Sequence, residues 1–324
     1  MRLLCVMLAA LAARAALPRY ELDTAFAPEW GAPIQRMSAA AFANGRVFAV
    51  ERGPDQPYAS LVHVLSPTGK ALFEFGKGVI ETAHGAHIGD TPEGSRLFIT
   101  DMGDFTVKVF DFESGTLLRT FGEPHKEGTS LDPIQFGNVA DVATDPRNAS
   151  RFFVVDGDGG PNNRLLALDW ASGRVLWSRG GAPTAKPGGF DVPHSVAWDA
   201  GRQAVWVADR SNNRTQVLSA RDGSFLFEWS CFLPGSQPWS VRIDSVRGTV
   251  LVADGTAGYL YVMPLPSADD PNPACRVSQA LPLPPAAAKL HEMAVDETTG
   301  AIYIAQVGDP TALLKLRVMP TGRD

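Results

Sequence analysis

His194-Ser195-Val196-Ala197-Trp198, Ala204-Val205-Trp206-Val207-Ala208, Thr215-Gln216-Val217-Leu218 and Ser224-Phe225-Leu226-Phe227-Glu228-Trp229 are four apolar runs packed into one short stretch of chain. β-Branched and aromatic residues fill them, and turn signals such as Asp222-Gly223 separate them, so each run reads as a strand. The second run ends in an acid, Asp209. The same ending recurs as Val50-Glu51, Thr100-Asp101, Val155-Asp156 and Ala253-Asp254, with a degenerate copy at Ala305-Gln306. The copies lie about 50 residues apart, a period that signals a repeat architecture of four strands per unit. Helical patterning is nearly absent. The expected fold is therefore all-β: a six-bladed β-propeller with blades at 36–76, 84–122, 138–180, 192–230, 238–278 and 290–318. The last blade needs an outer strand from elsewhere, and residues 20–30 are expected to close the ring. Near-continuous apolar strands suit blades covered on both faces. The connections 123–137, 181–191 and 279–289 are expected on one rim.

Working outward, the first residues have the form of a secretory leader. Arg2 is the positive region, Leu3 to Leu11 the apolar core, and Ala13-Arg14-Ala15 a small-x-small cleavage site. That core is too short to span a bilayer. The expected organisation is a signal at residues 1–15 and one propeller domain at 16–324, exported into the secretory lumen, a granule, a lysosome or the medium. Cys5 leaves with the leader. Cys231 and Cys275 then have one pairing available in an oxidising compartment, and a disulfide is expected. Asn148-Ala149-Ser150 and Asn213-Arg214-Thr215 are glycosylation acceptors of an exported chain; Asn148 follows a turn, and Asn213 is expected to be shielded. The net charge of −6, with no basic run, excludes an electrostatic footprint for nucleic acid.

Histidines carry the chemical signal. Fifteen positions before the marker acid stand His194 in the fourth copy and His291 in the sixth. In the second copy His84 and His87 straddle that position. The remaining copies place Arg36, Asp141 and Trp239 there. Three imidazoles on alternate blades, aimed at one axis, make a metal site, and three neutral histidines with an open fourth position are the pattern of catalytic zinc. His84 and His87 are three apart on a strand and face opposite ways, so only one is expected in the channel. His63 and His125 read as ordinary. No Gly-x-Ser-x-Gly, phosphate loop, dinucleotide fingerprint or Cys-x-x-Cys is present.

Ala83-His84-Gly85, Val192-Pro193-His194-Ser195 and Leu290-His291-Glu292 resemble the three histidine motifs of the lyase domain of peptidylglycine alpha-amidating monooxygenase, a six-bladed propeller of the NHL-repeat group. The resemblance covers roughly residues 30–318, and Val-Pro-His-Ser…Val-Ala-Asp-Arg is its most specific part. The run from Val155 to Arg164, Thr129-Ser130-Leu131 and the Cys231/Cys275 pair resemble secreted NHL-repeat proteins still more closely. The resemblance selects His84 over His87. It implies zinc on His84, His194 and His291, and a reaction that splits a peptidyl-alpha-hydroxyglycine into peptide amide and glyoxylate. It also implies that Arg52 and Arg210 meet a carboxylate, although Arg210 reads equally as a blade-to-blade contact with a carbonyl. A structural calcium held partly by Glu292 is a further implication.

One departure matters. The family's tyrosine belongs where this chain reads Asp156-Gly157-Asp158-Gly159-Gly160. Asp158 could act as base only with its pKa raised well above the usual value of about 3.9. The expected function is thus a secreted, zinc-binding relative of the lyase with its activity lost or altered. The alternatives are a non-enzymatic propeller that engages a protein partner through its rim loops, and an active zinc lyase or hydrolase on an unknown small molecule or peptide at the channel mouth.

Overall fold

The computed structural model describes residues 17–31, 33–53, 59–284 and 289–320; the leader expected over residues 1–15 lies outside them. Among the described residues, 24 strands form six four-stranded sheets. The innermost strands are β2 (Met37–Ala43), β6 (Ala83–Thr91), β10 (Val139–Thr144), β14 (Pro193–Asp199), β18 (Pro238–Asp244) and β22 (Leu290–Val295). Each inner strand touches the next, and β22 returns to β2, so the sheets stand as six blades around one axis. Ring closure follows expectation: β1 (Tyr20–Leu22) pairs antiparallel with β24 (Ala312–Val318), Tyr20 opposite Val318. Gln279 of the neighbouring blade clamps this strand by bonds to both the N–H and the carbonyl of Tyr20.

Blade five differs from the expected bounds. Its outer strand is β21 (Gln279–Pro282), paired with β20 (Tyr259–Pro264), although residues 279–289 read as a rim connection. The proline-rich excursion between β20 and β21 hides this strand from pattern reading. Cys275 lies in that excursion and is joined to Cys231, with a Cα–Cα distance of 5.9 Å.

Apolar residues from facing sheets fill the gaps between blades. Phe48, Val50 and Val62 of the first blade pack on Ala83, Leu97 and Phe110 of the second, all essentially buried. Each such side chain contributes roughly 1.5–3 kcal/mol of burial.

The repeated acid has a mechanical role. Its carboxylate accepts the backbone N–H of the loop entering the inner strand: Gln35 to Glu51, Thr82 to Asp101, Gly137 to Asp156, Asp191 to Asp209 and Gln237 to Asp254. In blades one to four a side chain of the third strand meets the same carboxylate: the His63 imidazole, and the cations Lys108, Arg164 and Arg214. Each inner strand therefore starts from a fixed point, and one residue later each carries a β-bulge. A bulge re-aims a side chain that the regular pleat would turn away.

Candidate metal centre

The bulges decide what meets on the axis. Register shifts fall at Ser38, at His84 with Gly85, at Ala140, at His194, at Trp239 and at His291 with Glu292. Counting back from the acid thus misses by a position or two in blades one and three: Ser38 and Ala140, not Arg36 and Asp141, occupy the bulge. Even blades place a histidine there. Odd blades place a backbone carbonyl there that each histidine uses, Ala140 O also accepting the Thr100 hydroxyl. His84 Nδ1 donates to Ala140 O at 2.8 Å, His194 Nδ1 to Trp239 O at 2.7 Å, and His291 Nδ1 to Ser38 O. A carbonyl can only accept, so the proton of each ring sits on Nδ1 and each Nε2 presents a lone pair.

The three rings are buried, with centroids 4.6–4.7 Å apart and one ligand atom from each within 4.8 Å of the others. His194 Nε2 is buried and has no hydrogen-bond partner. Burial lowers the pKa of all three rings; His194 falls to about 4, although the nearby Asp158 carboxylate opposes the shift. Neutral, buried, convergent imidazoles with carbonyl-anchored Nδ1 atoms form a cluster able to hold a metal ion.

Above the rings a cavity of about 850 Å³ opens to one face. It is lined by Arg36, Arg52, Arg210 and Lys289, with Asp158, Asp309, Trp239 and His291, and no described residue in its wall is a tyrosine. Arg52 donates through Nε to Ala83 O at 3.2 Å, a contact between blades. Burial lowers its pKa from the usual guanidinium value, and the Asp158 carboxylate acts against that shift. Arg210 follows β15 (Ala204–Asp209) in a single 3-10 turn (Arg210–Asn212), tied by its N–H to Val192 O at 3.1 Å. Its guanidinium lies 4.0 Å from the centroid of Trp239 and donates to Asp158 Oδ1 at 2.8 Å. Burial would raise the pKa of Asp158, and the Arg210 guanidinium opposes that shift by favouring the carboxylate.

On the other side of the rings lies a polar knot that the sequence reading missed. Arg242 donates to Asp141 Oδ2 at 2.9 Å and to Glu292 Oε2 at 3.1 Å. Ser195 and Ser240 also donate to Glu292 Oε2, and His194 Nδ1 lies 3.2 Å from Oε1. Oε2 of Glu292 is thus committed, and a guanidinium stands between the two carboxylates; a calcium held by Glu292 would have to share that carboxylate with Arg242. His87 corrects an expectation. The bulge lets it line the channel as well, in a cavity of about 510 Å³ at the opposite mouth. There its Nε2 accepts the Thr144 N–H at 3.2 Å. Asn148 and Asn213 are both exposed, so Asn213 is not shielded.

Fold and cluster together define a six-bladed propeller with a candidate metal centre on its axis. No protein-family model matches the chain. The NHL repeat-containing protein 3 of Mus musculus is 36% identical over 276 residues, covering 82% of this chain and 74% of that protein. The chain belongs to the family of NHL repeat-containing protein 3. A probable peptidyl-alpha-hydroxyglycine alpha-amidating lyase of Caenorhabditis elegans is 28% identical, covering 49% of this chain and 43% of that protein. A chain in the crystal structure of a nidogen/laminin complex has a TM-score of 0.58 at 15% identity, covering 80% of this chain and 84% of that one; this shows the fold alone. No described helix is long and apolar enough to cross a membrane.

Proposed function

We propose that the chain is an exported zinc-binding propeller, one domain over residues 16–324 behind a leader at 1–15, derived from a lyase scaffold and without the lyase reaction. One observation carries the metal: three carbonyl-anchored histidines turn three Nε2 lone pairs to one point, and His194 Nε2 has no other partner. His84, His194 and His291 would hold the ion, which would supply Lewis acidity to any oxygen that gained access to it. Zinc fits an all-imidazole donor set better than calcium or magnesium. Arg52 and Arg210 give the mouth an affinity for carboxylates, so a small acid or the C-terminus of a peptide is the class of ligand proposed there.

The lyase reaction needs a base for the substrate hydroxyl. The loop that would supply it offers Asp158, whose Oδ1 is already paired with Arg210 at 2.8 Å. Export is supported by the Cys231–Cys275 bond and by the exposed acceptors Asn148 and Asn213. Incubation of the zinc-loaded protein with a peptidyl-alpha-hydroxyglycine tests the reading. Glyoxylate is expected to form no faster than in buffer. Release that disappears in His194→Ala would overturn it.

A further inference from the structure

Asp158 faces the histidine cluster from the cavity side. Its Oδ2 lies 3.0 Å from His84 Nε2, and its Oδ1 lies 4.0 Å from His194 Nε2. His84 Nδ1 already gives its proton to Ala140 O, so His84 Nε2 offers a lone pair. At 3.0 Å, Asp158 Oδ2 and His84 Nε2 share a proton or a metal ion between them. A metal ion held by Asp158, His84, His194 and His291 would fill that place and would also give His194 Nε2, which has no hydrogen-bond partner, a ligand role.

The loop carrying Asp158 is built rather than incidental. The N–H groups of Gly157 and Asp158 both donate to Asn138 O, and the Asn138 amide returns a bond to Asp158 O at 3.0 Å. Gly157 packs against Pro193, where a Cβ would come within 2.6 Å of the proline ring. Arg210 fixes Oδ1 from the mouth side at 2.8 Å. The side chain is therefore aimed at the rings from the direction of the cavity, which is the side from which a substrate would arrive.

Resting on the metal reading above, we propose that Asp158 is the fourth ligand of the ion. The centre is then a closed set of three histidines and one aspartate, with no position left for water or substrate. Closed four-ligand sites are structural, whereas three-ligand sites with an open position are catalytic. The metal of this propeller would tie blades two, three, four and six together through side chains of this chain alone.

Cobalt(II) is the probe, because its visible spectrum reports ligand number and exchange. The whole protein is loaded with one equivalent, as wild type and as Asp158→Ala. The wild-type spectrum should not respond to excess acetate or acetohydroxamate. The variant should bind cobalt at least about tenfold more weakly, show a changed spectrum, and respond to both anions. Asp158→Asn, close in shape and a poor ligand, gives the same answer should the alanine variant fail to fold. Equal spectra and affinities in wild type and variants would overturn the fourth ligand alone, as would a wild-type centre that takes acetate as readily as the variant. Failure of every form to bind cobalt would overturn the metal reading and this proposal with it.

Discussion

His194 Nδ1 donates to the carbonyl oxygen of Trp239 at 2.7 Å, one blade further round the ring. The bond belongs to the backbone of Trp239 and not to its indole, and it leaves His194 Nε2 facing the axis. Trp239→Leu is therefore expected to keep its metal, with an affinity within about tenfold of wild type, while His194→Ala loses it. Metal titration of both variants checks this. A loss in Trp239→Leu as severe as in His194→Ala would mean that the ring contacts, not the carbonyl, hold the imidazole.

Arg242 is the only described cation between Asp141 and Glu292, and both carboxylates are fully buried. Removing one member of a buried ion pair leaves charge without a partner, at a cost of about 3–5 kcal/mol. Arg242→Met should lower stability by that amount, read as the shift in urea midpoint of the apo protein. A change below about 1 kcal/mol would mean that water or a bound ion already satisfies the two acids.

His87 should make the apo protein sensitive to acid. Burial, with a smaller effect from Arg242, lowers its pKa to about 3, against about 6.5 in an unfolded chain. The folded state resists a proton that the unfolded state accepts. Its contribution to stability is intact above about pH 6.5 and is lost as pH falls from there toward 3. His87 is only partly buried, so the loss between pH 7 and 5 is expected to be about 1–2 kcal/mol. Urea unfolding at the two pH values should show that loss in wild type and a smaller one in His87→Gln. Equal losses would contradict it.

The blades were legible because their signal is local and repeated. Glu51, Asp101, Asp156, Asp209 and Asp254 each close a second strand and each fasten the loop entering the inner strand, so spacing in sequence maps directly to spacing round the ring. His194 and His291 were legible for the same reason. The choice between His84 and His87 came from the family resemblance and could not come from spacing, because it turns on a β-bulge, and bulges are set by pairing with the neighbouring strand. The same bulge defeats the rule that residues three apart face opposite ways, and it lets His87 line the far end of the channel. Arg242 was invisible because its partners, Asp141 and Glu292, lie in other blades. The outer strand Gln279–Pro282 was lost behind a proline-rich excursion whose course depends on Cys231–Cys275. Asp158 was noticed as a residue standing where a tyrosine was expected. Its approach to His84 Nε2 could be read only from coordinates.

The central claim is that the three axial histidines hold one metal ion. Metal content per mole of the purified protein, for wild type and His291→Ala, tests it most directly. About one zinc per chain in wild type and essentially none in the variant is the predicted result. No zinc in wild type, and none gained on titration, would contradict it and leave the propeller as a scaffold for a protein partner.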